Sequence, residues 1–270
     1  MLLLGKPVFA AEPSVPAPSG QEQSLDGEWR IAPDSRDAGK NQKWFEVANF
    51  PAKAARPIQV PGNIHEAWPR ANGLFWYGRD FTVSVSREAG LRQYLRFGAV
   101  QYSCDVWLNG VSLGSHEGAS SPFEFDVTDA LRPGQTNFVA LRVFSPVSFF
   151  KDKRHPVAFD MGGINQHVTL VAQPLVRILD VFAKPDISSG EIRLEATMEN
   201  NSGKPAAVDV DVACSERRSG KHMQRVTARA EAVIGCSTHK LTVAVGSPHL
   251  WSPDDPFLYT VAVQVKWSGR

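Results

Sequence analysis

The chain has 270 residues, of which 43% are hydrophobic and 21% charged, and its formal net charge is +1. That length accommodates two ordinary domains with a sizeable core in each, and the composition excludes a disordered chain. A charge so close to neutral argues against a nucleic-acid partner, and no apolar run reaches the roughly 20 residues that a membrane helix needs. The expected partner is therefore neither nucleic acid nor a membrane.

Residues 1–24 read as a leader and a spacer. Met1-Leu-Leu-Leu-Gly-Lys-Pro-Val-Phe-Ala-Ala11 joins an apolar stretch to small residues near Ala10 and Ala11, the pattern that ends a secretory signal peptide, with a frayed apolar tail as the alternative. The first reading predicts export to the periplasm or the extracellular space. It is short and has no basic start, which fits an initiator methionine further upstream. Glu12 to Ser24, rich in Pro, Ser, Gln and Glu, has the composition of a disordered spacer.

Leu25-Asp-Gly-Glu-Trp-Arg-Ile31 opens the folded part as a strand, and Ile58-Gln-Val-Pro-Gly62 ends in a Pro-Gly turn. Asn63 to Ala71 holds the one helix candidate of note. His65 and Glu66 inside it have no third partner in sequence and read as surface. Leu74 to Val85 is a long strand rich in aromatic and β-branched residues, so at least one of Trp76 and Tyr77 is expected in the core or at a domain interface.

Tyr94 to Val100 is a further strand. Val106 and Leu108 then alternate with Asp105 and Trp107, Asn109-Gly110 follows, and Val111 and Leu113 resume the alternation. That is a hairpin, because Asn-Gly accepts the positive φ angles of a type I′ turn. His116 to Ser121 reads as an irregular polar loop. After it, Phe123, Phe125 and Val127 point one way and Glu124, Asp126 and Thr128 the other. Phe138 to Phe144 is a strand, and Val168 to Val171 follows a Gly162-Gly163 turn. Short strands parted by Gly, Pro, Asn and Asp turns predict an all-β jelly-roll sandwich over residues 25–174.

The alternation restarts in residues 175–270. Ile192, Leu194, Ala196 and Met198 share one face; Val208, Val210, Val212 and Cys214 share another, against Asp209 and Asp211 on a solvated side. Val261, Val263 and Val265 continue it. Five or six strands predict an immunoglobulin-like sandwich, for which seven is usual. Because Trp267-Ser-Gly-Arg270 breaks off as a turn begins, the second sandwich is expected to be incomplete at its C-terminal end. Of the three cysteines, Cys214 and Cys236 fall in this domain and are the plausible disulfide if the protein is exported, while Cys104 reads as a buried free thiol. No Cys/His spacing resembles a zinc site, and no cofactor is predicted.

Leu25-Asp-Gly-Glu-Trp-Arg, Val60-Pro-Gly62, Gly73 to Phe81, Val106-Trp-Leu-Asn-Gly110, His116-Glu-Gly118, Pro122 to Thr128 and Met161-Gly-Gly-Ile-Asn-Gln-His-Val168 resemble, in that order, the N-terminal sugar-binding domain of glycoside hydrolase family 2. The family includes β-galactosidases, β-glucuronidases and β-mannosidases. Leu250-Trp-Ser-Pro-Asp-Asp-Pro-Phe-Leu-Tyr259 is similar to its signature near the end of the following immunoglobulin-like domain, where Trp251 would plug the end of the sandwich. The resemblance implies a jelly roll, an immunoglobulin-like sandwich and then a (β/α)₈ barrel in which two glutamates cleave the glycosidic bond with retention. Members usually place the acid/base glutamate directly after an asparagine. No Asn-Glu pair occurs in this chain, so no catalytic residue is assigned.

The family's Gly-Gly-Ile motif is usually followed by an aromatic residue and an Arg, where this chain has Asn165-Gln166. The acidic residue that some members bring toward the sugar pocket falls on Asp160 or, in the other alignment, at Val157. Sugars are held by aromatic faces and by groups that hydrogen-bond hydroxyls. Phe159, Asp160, His116 and Glu117 are thus the candidate ligand contacts, against the plainer reading that Glu117 closes its loop on backbone N–H groups. The expected function is the non-catalytic part of an exported glycosidase acting on a carbohydrate partner. A free-standing carbohydrate-binding module or lectin, or a structural sandwich pair, is the alternative.

Overall fold

The computed structural model describes residues 22–69, 72–84, 88, 90–145 and 162–267. Phe159 and Asp160 lie outside them. The chain divides into two compact units, residues 1–87 with 92–173, and residues 88–91 with 174–270. The Leu175 amide donates to the Gly90 carbonyl at 2.8 to 3.2 Å range typical of backbone bonds, at 3.2 Å, which ties the short 88–91 piece to the second unit.

The first unit runs β1 (Glu22–Ser24), β2 (Gly27–Pro33), β3 (Arg56–Val60), α1 (Ile64–Ala67), β4 (Gly73–Thr82), β5 (Leu91–Phe97), β6 (Val100–Gln101), β7 (Ser103–Leu108), β8 (Val111–Glu117), β9 (Phe123–Asp126), β10 (Thr136–Ser145), β11 (Gly163–Ile164) and β12 (Val168–Pro174). A four-stranded sheet in the order β1-β12-β5-β9 faces a six-stranded sheet in the order β3-β2-β4-β10-β7-β8, the jelly roll expected from the strand pattern. Trp29, Phe75, Tyr77, Leu95, Phe97, Leu141 and Leu170 meet between them.

Strand β4 is buried on both faces, which explains why Trp76 and Tyr77 are both fully buried. Tyr77 enters the core between the sheets, while Trp76 packs with Phe50, Trp107, Phe138 and Ala140 on the outer side of the six-stranded sheet. There residues 34–55 form a cover. Asp34 fastens it by accepting from the amides of Ala38 and Gly39 at 2.8 and 2.9 Å and from Trp76 Nε1 at 2.9 Å. A Cβ on Gly39 would lie 2.3 Å from Trp76 Nε1, so only glycine permits this approach. Phe45 stacks on Trp107 and Trp107 on Trp76, with centroids 5.3 and 5.1 Å apart, and such pairs each contribute about 0.5–1.5 kcal/mol beyond area burial.

The Asn109-Gly110 turn is the type I′ form, with φ of 53° and 86°. Beyond it the structure departs from a clean alternation. A bulge shifts the β7–β8 register between Val106 and Trp107, and β8 continues to Glu117, so His116 and Glu117 stand on a strand rather than in a loop. The physical reason is pairing. His116 lies opposite Cys104 and stacks on Phe123 at 4.0 Å, and each extends the sheet past the expected corner.

The second unit contains β13 (Val176–Asp186), β14 (Glu191–Asn200), β15 (Ala206–Glu216), β16 (His222–Ala232), β17 (Gly235–Ala244) and β18 (Tyr259–Trp267). Two three-stranded sheets, β13-β14-β17 and β16-β15-β18, enclose Leu194, Met198, Val208, Val210, Val212 and Val243. Three expectations are corrected here. Asp211 is not on a solvated face: its side chain is 4% exposed, because Arg225 grips it and Lys266 lies 3.9 Å away. Cys214 points into the core while Cys236 is exposed, so strand alternation sets them on opposite faces and both are free. Trp251 plugs nothing within this unit; it is 58% exposed.

Candidate functional site

The segment 146–161, which carries Phe159 and Asp160, leaves the jelly roll at the end of β10 and returns at Gly162. The neck is narrow. A Cβ on Gly162 would fall 1.9 Å from Ser145 Oγ, and one on Gly163, whose φ is +120°, would fall 2.7 Å from the Tyr77 hydroxyl and 3.2 Å from the Gly62 carbonyl. Both positions therefore require glycine. The Ile64 amide donates to the Gly162 carbonyl and the Gly62 amide to the Ile164 carbonyl, both at 2.9 Å. The return of the segment is thus locked against the turn that precedes α1.

Helix α1 is shorter than the sequence predicts and is held by its cap. Asn63 Oδ1 accepts from the His65 amide at 3.0 Å, and Glu66 accepts from the Asn63 amide at 3.3 Å. Glu66 is therefore a capping group and not an idle surface carboxylate. Below it, Tyr77 is fully buried, and burial pushes its phenol well above the ordinary range, so it stays neutral at any physiological pH.

The two candidates on β8 have local duties. His116 stacks against Phe123, its Nε2 buried with no hydrogen-bond partner among the described residues. Glu117 is exposed and accepts from the Tyr102 hydroxyl, which holds that phenol's pKa up. The structure does not bring either residue together with Phe159 or Asp160, which lie outside the described residues. Cys104, opposite His116, has its thiol pushed up to about 12, by burial first and by Asp105 second, so it is an inert thiol at neutral pH.

Sequence reasoning did not find a polar cleft of about 570 Å³ beside the Asn109-Gly110 turn, lined by Glu46, Asp80, Asn109, Arg132 and Thr136 among others. Asn109 frames it: Oδ1 accepts from the Phe138 amide at 2.9 Å, and Nδ2 donates to the Ala130 carbonyl and Asn137 Oδ1 at 2.8 Å. Asp80 is paired with Arg30 at 2.6 Å. The hairpin signal was visible in the sequence, but the cover that supplies Glu46 has no periodicity to announce it.

Asp26, Asp126, Asp186, Glu195 and Asp211 are all held below the ordinary carboxylate range. For Asp126, burial opposes the shift and the Thr128 hydroxyl, the Thr128 amide and Arg92 overcome it. A general acid needs the opposite displacement. Among the described residues, no group of three or more His, Cys, Asp or Glu could hold a metal ion, and no helix is long and apolar enough to cross a membrane.

Residues 22–174 match the family model described as the sugar binding domain of glycosyl hydrolases family 2, and residues 176–270 match a second model of glycosyl hydrolases family 2. The chain belongs to glycosyl hydrolase family 2. Among curated relatives of this family 2 chain, a β-glucuronidase of Paenibacillus borealis is 24% identical over 90% of this chain and 42% of its own length. The β-galactosidase large subunit of Leuconostoc lactis is 27% identical over 90% of this chain and 43% of its own. The chain thus spans less than half the length of either. Among solved structures, a calcium-binding mutant of Bacteroides uniformis β-glucuronidase 2 shares the fold with a TM-score of 0.75 at 20% identity, covering 92% of this chain and 31% of that one.

Proposed function

We propose that this chain is the non-catalytic N-terminal portion of an exported glycosidase that hydrolyses O-glycosyl bonds, in which the jelly roll buttresses a catalytic barrel and lends it the segment 146–161. The observation that carries the reading is the pair of consecutive family matches, 22–174 and 176–270, in a chain that spans 42% and 43% of two glycosidase relatives. The substrate class is a β-glucuronide or β-galactoside, after the names of those relatives. Within the lent segment Asp160, with Phe159 beside it, is the side chain to reach the sugar, because Gly162 and Gly163 lock the segment's return. Export is supported by the Met1–Ala11 pattern of apolar and small residues.

Sequencing of the transcript across codon 270 tests this reading. A reading frame that continues into a barrel-encoding region supports it, and a stop codon with no barrel region downstream overturns it. The 270-residue chain alone is expected to release no nitrophenol from aryl β-glucuronides or β-galactosides. Measurable turnover would show that a catalytic pair exists within it. N-terminal sequencing of protein recovered from the periplasm or medium checks export, with a mature start after Ala10 or Ala11 as the expected result.

The polar cleft beside Asn109 favours a second reading, direct saccharide binding by the jelly roll. Its carboxylates, amides and Thr136 hydroxyl suit sugar hydroxyls. Titration calorimetry of the chain with glucuronides, galactosides and mannosides separates the two: heat that disappears in Asp80→Ala places the sugar in this cleft, and no heat with any of them removes the second reading.

A further inference from the structure

The second sandwich has one lateral edge that nothing defends. Strand β18 pairs with β15 on one side, from Val208 opposite Trp267 to Glu216 opposite Tyr259, and has no strand on its other side among the described residues. It is nine residues long, contains no proline, and shows no register shift against β15. Its one charged residue is Lys266. The edge strand β13 differs: it carries Asp180, Lys184, Pro185 and Asp186 and has a register shift between Ile178 and Asp180. Edge strand β16 is likewise shifted, between Cys214 and Ser215 on its partner, and carries Arg225, Arg229 and Glu231. Bulges, prolines and charges are the devices that keep edges from pairing, and β18 lacks them.

The core is also open along this edge. Val208, Val210, Val212 and Cys214 on the central strand are at most 3% exposed, whereas their neighbours Trp267, Val265, Val263 and Val261 on β18 are only half-buried. At the start of β18 an apolar cleft of about 310 Å³ opens, lined by Ala183, Ile187, Trp251, Tyr259 and Val261 among others. Leu250, Trp251 and Leu258 flank it at 53%, 58% and 46% exposed.

We propose that β18 pairs antiparallel with β18 of a second copy of this chain, forming a two-fold dimer through a continuous sheet. The strand is self-complementary about Val263. In that register Val261 faces Val265 of the second copy, Val263 faces Val263, and Tyr259 faces Trp267, so the half-buried valines become one core and each end closes with an aromatic cross-strand pair. On the outer face Ala262 meets Gln264 and Thr260 meets Lys266, so no like charges stand opposite. Trp267 of the second copy is delivered beside Tyr259, at the mouth of the apolar cleft. Each copy satisfies backbone groups that the other leaves to solvent.

Sedimentation equilibrium of the 270-residue chain is expected to give twice the chain mass, with slowed hydrogen exchange along β18 as concentration rises. Ala262→Lys with Gln264→Lys sets cations opposite each other on the exposed outer face and is expected to weaken association roughly tenfold or more with unchanged circular dichroism. Ala262→Lys with Gln264→Glu sets a cation opposite an anion and is expected to restore the dimer. A wild-type chain that stays monomeric throughout overturns the proposal, its edge then being covered by a strand from elsewhere. A dimer indifferent to the double lysine substitution, or one that both double variants disrupt equally, overturns the register.

Discussion

In the jelly roll, Trp29, Phe75, Trp76 and Tyr77 are each at most 1% exposed, and residues 34–55 cover the outer side of its larger sheet. In the second sandwich the core is made chiefly of valines, alanines and a methionine, and one edge strand is left half-covered. Both units rest on the same two-residue alternation. They differ in what happens beyond it: the first uses irregular chain, glycines and a buried carboxylate to close itself, and the second relies on strands alone. A sandwich so built is complete only when every edge of its core has a neighbour.

Four substitutions can break or sharpen that contrast. The largest effect is expected from Trp76→Ala, which removes the centre of the covered face and the donor to Asp34 and should cost about 3–5 kcal/mol, read as a lowered first-unit transition in calorimetry. Met198→Ala should cost roughly 2–5 kcal/mol in the second unit and leave the first transition in place; a shift in both equally would show that the units do not unfold separately.

Gly163→Ala is expected to cost on the order of 1–3 kcal/mol in the first unit, from its +120° φ and the Tyr77 hydroxyl 2.7 Å from the new carbon. An unchanged urea midpoint would mean that the neck of segment 146–161 is loose.

The smallest effect is a pH dependence. Arg225 holds the Asp211 carboxyl below its ordinary 3.8, with Lys266 adding to the pull. A carboxyl depressed in the folded state stabilises above its unfolded pKa of about 4, and that stability is lost as pH falls through the lower folded value. Asp211→Asn should therefore flatten the second unit's melting temperature below about pH 4, where the parent chain declines. A parallel decline in both would remove Asp211 from the acid response.

Much of this was legible in the chain. The Asn109-Gly110 hairpin, the strands on either side of it and the all-β class follow from φ preferences and period-two alternation, which are local properties. The candidate site was less legible. His116 and Glu117 looked like loop residues because a small-residue run carries no periodicity, and only pairing with β7 and the Phe123 ring showed that the strand continues. Glu46 and Asp80 meet at one cleft although nothing in their sequence neighbourhoods connects them.

By itself, then, the sequence determined the strands, the core-facing residues, the turn at Asn109 and, through its ordered motifs, the family. Tertiary structure alone decided that Trp76 is buried beneath an irregular cover, that Asp211 is gripped by Arg225, that Cys214 and Cys236 face apart, and that Trp251 and β18 are left uncovered. The reason is physical: alternation says which side of a strand a residue takes, but whether that side meets a neighbour, a cover or water depends on segments distant in the chain.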